Sequence, residues 1–524
     1  MIKVDRIWFL VVVVLLLMVS CGRVDLGKLE TGTPYMGQYH DEDIVVVFDR
    51  VSEGNVEGRA YLDEGILEVE PAEFSFNIGR SGKGRLKHDE AEERFKISVD
   101  DGSLKGICGA SDFILSPYVA DSASFKSFYV KPLYKVLEEN DRVYAHDVPG
   151  YWISYPETQE PFGTIYMRKL ADLAFLQKED LNMDLYYPNE PTPLARPLLV
   201  LIHGGAFYNG DKQSVGFPEM GQHFAQRGFV VASINYRLGF RPTGKSIDRA
   251  GYRAVQDAHA ALRFLISRAD EFQIDTNNIF VAGTSAGAIT ALNLAYMREE
   301  SRPEASRKVM WGPDLGPLES VDPELCFKFN IKAVVNMWGA VHDLSMLTNS
   351  KSTSVLSFHG DEDHIVPYGF GYPFHDMLDS HVEDVFRPMY GSKAITEKLT
   401  SMGVRSELHT CYGRGHSLHV NEDGSLSDYF NDTILPTMTR FLCEELVGGE
   451  MVKLIHSESD ERWFEAVGVD NVAELHWQVE GGVVVGHRGD DKAKVLLFAD
   501  APKHSVTVGG KYKNEVEFNE SIGN

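Results

Sequence analysis

Cysteine is scarce in this sequence, with five residues in 524. One of them, Cys21, lies close to the N-terminus, and the rest of the chain carries Cys108, Cys326, Cys411 and Cys443. So few thiols in so long a chain exclude a disulfide scaffold, and their spacing matches no metal site. Whether two of the last four form a bridge stays open, because isolated buried thiols fit this spacing equally well.

Basic residues are also few. Lysine and arginine together number 51, against 77 aspartates and glutamates, which leaves a formal net charge of −26. A chain this acidic repels other polyanions, so neither a nucleic-acid partner nor a polyanionic substrate is expected. Solvation of the surface alone accounts for the charge, and a neutral or cationic substrate is compatible with it. The apolar fraction of 43% is ordinary for globular proteins and excludes a largely disordered chain.

The N-terminus has the pattern of an export signal. Two basic residues precede an apolar run over residues 7–19, and the segment ends in Ser20-Cys21. The run is short for a bilayer-spanning helix, and a small residue before a cysteine is similar to the lipobox of bacterial lipoproteins. This resemblance implies export and a diacylated Cys21 that anchors the protein to the cell envelope. The absence of aspartate after Cys21 fits sorting to the outer membrane, and an ordinary signal peptide or a short anchor is the alternative.

Three regions with different patterns follow this leader, which is assigned to residues 1–21. Residues 22–145 and 449–524 show short strand-like runs around turn residues, which predicts a β-rich N-terminal domain and a β-sandwich-like C-terminal domain. Residues 146–448 alternate continuously apolar runs with helical patterns, as in a mostly parallel sheet covered by helices. The strands predicted in this middle region are 197–202, 229–234, 279–282, 331–337, 354–358 and 407–411, and the longest helix is predicted over 250–272.

The clearest motif is Gly283-Thr284-Ser285-Ala286-Gly287, between a predicted strand and a predicted helix. A strand-to-helix turn this tight needs small residues on both sides, because the two elements approach closely. The turn exposes the serine hydroxyl at the positive end of the helix dipole. Five residues of this pattern also occur by chance as a plain turn, but the flanking elements favour Ser285 as a nucleophile.

A second glycine-containing loop begins at His203, after the first predicted strand of the middle region. Loops of this type donate backbone N–H groups to the oxyanion of a tetrahedral intermediate. The amides of Gly204, Gly205 and Ala206, together with that of Ala286 after the nucleophile, are the expected donors. His203 is interpreted as a structural residue that holds the loop.

A carboxylate and a histidine follow in the chain order that such a fold uses. Asp363, in the loop after the strand 354–358, is the best candidate to orient a catalytic imidazole. Its neighbours Asp361 and Glu362 are interpreted as solvated carboxylates, and His364 as an exposed residue.

The base is expected after the last predicted strand of the middle region. His416 stands there on a glycine-flanked turn, where its ring can reach the same edge of the sheet. The competing residues His409 and His419 are interpreted as strand and helix surface residues.

With these motifs, the chain resembles the α/β-hydrolase carboxylesterases, particularly bacterial carbohydrate esterases and hormone-sensitive-lipase-like esterases. The similarity runs over residues 183–441 and also includes Asn235-Tyr236-Arg237-Leu238-Gly239. It implies an α/β-hydrolase fold with small terminal β-domains, and the triad Ser285, His416 and Asp363. The mechanism of such a triad requires no metal and no organic cofactor.

The predicted function is hydrolysis of a small-molecule or carbohydrate-linked ester, such as an acetyl or feruloyl ester, through an acyl-enzyme. A lipase or a serine peptidase would use the same residues. However, the chain lacks the propeller-length N-terminal domain of the prolyl oligopeptidases, and segment 370–390 is too polar for a lipase lid. A non-catalytic surface-binding protein on this scaffold is the rival of another class, and the intact serine and histidine motifs disfavour it. The acyl and alcohol groups, the roles of the β-domains and the oligomeric state stay open.

Overall fold

The computed structural model describes residues 29–39, 42–52, 55–63, 65–77, 85–88, 91–100, 103–108, 111–149, 178–240, 244–308, 314–348, 353–375 and 386–523. The predicted signal segment with Cys21 lies outside these ranges, as do the side chain of Cys108 and residues 376–385 of segment 370–390. Within the described ranges, no helix has both the length and the apolarity that a membrane span requires.

Residues Phe128–Gly448 form one compact unit around an eight-stranded sheet. In chain order its strands are β1 (Val136–Pro149), β2 (Lys178–Pro188), β3 (Arg196–Ile202), β4 (Val230–Ile234), β5 (Ile274–Thr284), β6 (Ile331–Met337), β7 (Ser354–Gly360) and β8 (Ser406–Cys411). In space their order is β1-β2-β4-β3-β5-β6-β7-β8. Strand β2 is antiparallel to both of its neighbours. The six strands β3 to β8 are all parallel to one another. This is the α/β-hydrolase fold, as predicted.

The parallel strands form because their sequences are almost continuously apolar. Every residue of β3, β4 and β7 is buried, as expected for strands covered by helices on both faces. All six strands predicted here are present, with ends that differ by zero to five residues. By contrast, β1 carries a run of charged residues and is exposed over much of its length, so its sequence gave no strand signal.

The α-helices in the described part of this unit are α1 (Phe217–Ala225), α2 (Gly244–Ser267), α3 (Ala269–Phe272), α4 (Ala286–Tyr296), α5 (Ser392–Ser401) and α6 (Leu435–Val447). The predicted helix 250–272 is divided between α2 and α3, because Arg268 has non-helical backbone angles of φ −110° and ψ 19°. A small sheet of Ala340–Val341, Met389–Gly391 and Phe370–Gly371 lies beside the carboxyl ends of the main strands.

The described residues before Phe128 and after Gly448 form a second compact unit of β-strands. An eight-stranded antiparallel sheet has the order Ala72–Asn77, Asn55–Leu62, Glu42–Ser52, Pro34–Tyr39, Ser111–Pro117, Ser103–Cys108, Ala91–Asp100, Arg85–His88. A five-stranded sheet contains Lys453–His456, Trp463–Val467, Lys492–Phe498, Gly482–His487 and Glu68–Val69, and a three-stranded one contains Val472–Glu480, Ser505–Tyr512 and Glu517–Gly523.

The structure divides the chain differently from the predicted boundaries. Glu68–Val69 pairs in parallel with Lys492–Phe498, so that residues from both ends of the chain share one sheet and one unit. Residues 128–145, predicted to belong to the N-terminal domain, lie in the α/β unit, where β1 pairs with β2. Such pairing between distant segments leaves no signal in the local pattern from which the boundaries were predicted.

Candidate active site

Ser285 occupies the turn between β5 and α4 in a strained conformation, with φ 51° and ψ −117°. Two main-chain hydrogen bonds hold this turn, because the Ser285 N–H donates to the carbonyl of Met337 at 2.9 Å and the Ser285 carbonyl accepts from the Ile289 N–H at 3.0 Å. A Cβ on Gly283 would collide with the Gly287 backbone, and a Cβ on Gly287 would collide with the carbonyl of Ile202. The small residues of the motif are therefore required for the strand, turn and helix to pack.

His416 lies on the loop after β8 and joins Ser285 to Asp363. Its Nε2 is 2.9 Å from the Ser285 hydroxyl oxygen, and its Nδ1 is 2.7 Å from Asp363 Oδ2. The ring also packs edge-on against the indole of Trp338, with 6.2 Å between the ring centroids. The structure thus brings together the three side chains predicted as a triad, from positions separated by up to 131 residues.

Asp363 is fully buried and surrounded by donors. The N–H groups of Ile365 and Val366 donate to Oδ1 at 2.8 and 3.0 Å. His416 Nδ1 and His359 Nε2 lie 2.7 and 3.2 Å from Oδ2. Burial alone would raise the pKa of this carboxyl, but the two histidine hydrogen bonds outweigh burial and hold the pKa well below its usual range. Asp363 is therefore a carboxylate that can fix one imidazole tautomer and stabilise the imidazolium form.

The other carboxylates and histidines of these loops lie where they were expected, with one exception. Asp361 is exposed and accepts from the Gly413 N–H at 2.6 Å, and Glu362 and His364 are exposed as well. His409 is half-buried on β8. His419, however, is not on a helix surface: it lies on a turn, stacks on Trp338 at 5.0 Å, and its pKa is lowered to about 4 by burial and by the nearby His416.

The loop predicted to form the oxyanion hole follows β3 and has an unusual backbone. Gly205, Ala206 and Phe207 have successive φ values of 97°, 55° and 59°, all in the left-handed region. Gly204 lies directly against the nucleophile, since a Cβ there would be 3.3 Å from Ser285 Cβ. Ala286 is the first residue of α4, where backbone N–H groups have no partner within the helix. The loop and the helix end thus approach Ser285 from two sides.

His203 holds this loop and does not contact the triad. Its Nδ1 donates to the carbonyl of Gly204 at 2.8 Å, and its ring stacks on Tyr236 with 4.3 Å between centroids. The Tyr236 hydroxyl donates in turn to the His203 carbonyl at 2.9 Å. Complete burial lowers the pKa of His203 to about 4, which keeps the ring neutral and suits a structural role.

A cavity of about 630 Å³ opens beside the Ser285 hydroxyl. Its described lining is mainly apolar and aromatic, with side chains that include Phe207, Tyr208, Phe240, Tyr252, Phe374 and Phe386. The acidic and basic side chains in that lining are Asp248, His342 and Arg387, and Arg387 forms an ion pair with Asp248 at 2.5 Å. Aromatic walls with a few polar groups are typical of a pocket for a bulky organic ligand.

Sequence reasoning missed two residues of this site, His359 and Trp338. His359 is the penultimate residue of β7. The signal that could have revealed it is a polar, titratable side chain in a strand that is otherwise uncharged and buried. In the described part of the chain, no group of three or more His, Cys, Asp or Glu side chains is placed to hold a metal ion, and the described thiols of Cys326, Cys411 and Cys443 are free.

Residues 183–355 match the BD-FAE family profile. Gut esterase 1 of Caenorhabditis elegans is 34% identical over 145 residues, which are 27% of this chain and 25% of that protein. Phenmedipham hydrolase of Pseudarthrobacter oxydans is 31% identical over 174 residues, which are 33% of this chain and 34% of that protein. The chain thus spans about a quarter to a third of the length of these curated relatives.

Solved structures of esterases are also similar. A truncated form of a carbohydrate esterase from gut microbiota is 18% identical, with a TM-score of 0.36 over 60% of this chain and 98% of the other. Esterase 2 of Thermogutta terrifontis, phosphorylated by paraoxon, is 19% identical, with a TM-score of 0.35 over 51% of this chain and 90% of the other. The α/β unit thus has the topology of an α/β-hydrolase, and part of it is similar in sequence to the BD-FAE family and to proteins named as esterases.

Proposed function

We propose that the chain is a serine esterase in which Ser285 is the nucleophile, His416 the general base and Asp363 the carboxylate that orients the base. The observation that carries this proposal is the continuous hydrogen-bonded chain from the Ser285 hydroxyl through His416 to Asp363, with distances of 2.9 and 2.7 Å. The strained turn that presents Ser285 and the similarity to esterases support it.

The reaction proceeds in two halves. His416 Nε2 takes the Ser285 proton as the hydroxyl oxygen attacks the ester carbonyl, and the amides of Gly205, Ala206 and Ala286 stabilise the oxyanion. The tetrahedral intermediate collapses when His416 returns the proton to the leaving alcohol, which leaves Ser285 acylated. Water, deprotonated by His416, then attacks the acyl-enzyme and releases the acid and the free serine.

The test uses hydrolysis of p-nitrophenyl esters by variants with matched controls. Ser285→Ala and His416→Gln are each expected to lower kcat by at least about 10⁴-fold, because they remove the nucleophile or the base. Ser401→Ala, at an exposed serine of α5, and His364→Gln, at an exposed histidine, should retain wild-type rates. Undiminished turnover by Ser285→Ala would refute the assignment. A wild-type protein that neither turns over esters nor reacts with a fluorophosphonate would support a non-catalytic binding protein.

The cavity favours a bulky aromatic acyl group over an acetyl group as the preferred substrate. A volume of about 630 Å³ far exceeds what an acetyl group fills, and the aromatic walls can pack against a planar ring. Among the esters expected from the sequence, the proposal is therefore a feruloyl-type ester of a carbohydrate. Long-chain acyl esters and peptides are the alternatives that a lipase or a peptidase would prefer.

Narrowing the cavity tests this choice. Gly251 of α2 faces the cavity, and a Cβ there would make an ordinary contact of 3.6 Å with Phe207. Gly251→Leu should therefore fill space without displacing the backbone and lower kcat/KM for methyl ferulate by about tenfold or more. Its kcat/KM for p-nitrophenyl acetate should remain near the wild-type value. Equal losses on both esters would contradict the assignment of the cavity to the acyl group.

We also propose that the protein is exported and anchored to the outer membrane through acylated Cys21. The proposal rests on the lipobox-like sequence alone, and the acidic body would remain in the aqueous phase. In a bacterial host, metabolic labelling with an alkyne fatty acid should mark the wild type and not Cys21→Ser. Labelling of both proteins, or of neither, would contradict a lipid anchor at this residue.

A further inference from the structure

His359 lies behind the triad and contacts the carboxylate that orients the base. It is the penultimate residue of β7, its side chain is fully buried, and its Nε2 is 3.2 Å from Asp363 Oδ2. This is the same oxygen that His416 Nδ1 approaches at 2.7 Å. His359 therefore reaches the triad from the core, whereas the His416 side chain is partly exposed.

The opposite nitrogen of His359 is bound to a buried polar network. Ser392, the first residue of α5, places its Oγ 2.7 Å from His359 Nδ1. The Asn336 side chain on β6 donates through Nδ2 to Ser392 Oγ and to Ser357 Oγ, both at 3.0 Å. The side-chain amide of Asn336 cannot be flipped in this network, because its Oδ1 accepts from the Gly339 N–H at 2.9 Å.

These contacts fix the direction of every proton in the network. Since the Asn336 amide donates to Ser392 Oγ, the Ser392 hydroxyl proton is free to donate to His359 Nδ1. His359 Nε2 faces two acceptors, Asp363 Oδ2 and the carbonyl of Val366 at 3.1 Å, so the ring carries its proton on Nε2. All buried polar atoms along this path are satisfied when His359 is neutral.

We propose that His359 is a positioning residue for ester hydrolysis: it acts through Asp363 by donating from Nε2, in the tautomer whose Nδ1 accepts from Ser392. This inference rests on the proposed esterase function. The donor holds the carboxylate in the orientation that His416 needs and shares the charge of Oδ2. Without it, Asp363 keeps two backbone donors on Oδ1 but loses the second side-chain donor on Oδ2.

The first test replaces His359 by an aromatic ring of similar size. His359→Phe should lower kcat by roughly 10- to 100-fold with little change in KM, as expected when a residue behind a functional group is removed. Because Asp363 would concentrate its charge on fewer donors, the acid limb of kcat/KM should move to higher pH. The titratable neighbours of His416 and His359 that could contribute are Asp363, His419 and Tyr368. His359→Gln, which retains an N–H donor, should recover most of the rate and the wild-type pH profile.

The second test separates positioning from packing and does not depend on how well His359→Phe folds. Ser392→Ala and Ser357→Ala each remove one buried hydroxyl that bonds the same Asn336 amide, but only Ser392 contacts His359. Ser392→Ala should lower kcat by roughly tenfold, since His359 then loses the hydrogen bond that anchors its ring beside Asp363, whereas Ser357→Ala should match the wild type.

Three results are distinguishable in these tests. An inactive wild-type protein refutes the esterase function itself. An active wild type, with a folded His359→Phe variant of unchanged kcat and pH profile, overturns the positioning role. Equal losses in Ser392→Ala and Ser357→Ala overturn it as well, because they would show that the network acts only through packing.

Discussion

The substitution Asp363→Asn should uncouple the triad without changing its shape. Both oxygens of Asp363 face donors only: the N–H groups of Ile365 and Val366 at Oδ1, and the rings of His359 and His416 at Oδ2. An asparagine amide must place its NH2 group at one of these two positions. In either orientation the NH2 group then faces N–H groups that also donate, and no hydrogen bond can form between them. The ring of His416 can relieve the conflict by moving its proton from Nδ1 to Nε2.

That shift disables the base. A proton on His416 Nε2 faces the Ser285 hydroxyl at 2.9 Å, so the ring no longer offers a lone pair to accept the serine proton. In a serine protease, the same change in the orienting carboxylate lowers kcat by about 10⁴ through the wrong tautomer. A loss of this size corresponds to about 5.4 kcal/mol of transition-state stabilisation, and we expect a similar value here.

The assay is steady-state hydrolysis of a p-nitrophenyl ester at pH 7, with Asp361→Asn as the matched control. Asp361 lies two residues away in the same loop, is exposed, and accepts from the Gly413 N–H at 2.6 Å. Its variant should keep kcat within about twofold, as expected for a surface substitution. A folded Asp363→Asn protein that loses less than about tenfold in kcat would refute the tautomer argument and require another orienting group.

Two further predictions concern the oxyanion loop and the pH dependence of stability. Gly205→Ala should lower kcat by about 10²- to 10³-fold with a smaller effect on KM, because a Cβ at this φ of 97° would strike the carbonyl of Asn209 and displace the donor amides. His223 should make the free energy of unfolding fall as the pH drops from about 6.5 to about 4. Burial first, and then Arg227, lower its pKa from 6.5 to about 4, so the unfolded chain binds the proton more readily in this range. His223→Gln, which can still bond Thr439, should remove up to about 3 kcal/mol of that loss in urea unfolding, and an unchanged pH dependence would contradict the burial argument.

The parts of the site that the sequence predicted are those set by local pattern. Ser285 was predictable because a short glycine motif stood between an apolar strand and a helix, and Asp363 and His416 because each followed a predicted strand. Parallel strands all end at one edge of their sheet, so residues just beyond β5, β7 and β8 converge without any knowledge of the tertiary contacts. The predicted parallel strands were therefore enough to predict that the three triad residues meet.

The parts that were not predictable depend on packing between distant segments. His359 acquires its place only because Ser392 from α5 and Asn336 from β6 meet its Nδ1 side in the core. No periodicity links these three positions. The β1 strand was missed for a different reason, since its exposed and charged residues lack the apolar alternation by which strands are recognised.

The strand order also explains why Trp338 belongs to the site. Strand β3 lies beside β5, with Ile202 in register with Gly283, so the oxyanion loop and the nucleophile are direct neighbours. Strand β6 separates β5 from β7, so the strands that lead to Ser285 and Asp363 lie about two strand spacings, or roughly 10 Å, apart. A hydrogen-bonded imidazole spans that gap only if it lies across the end of β6, and Trp338, the first residue after β6, provides the surface on which His416 rests. The φ of 48° at Trp338 is thus understandable as the strained conformation that ends β6 beneath the base.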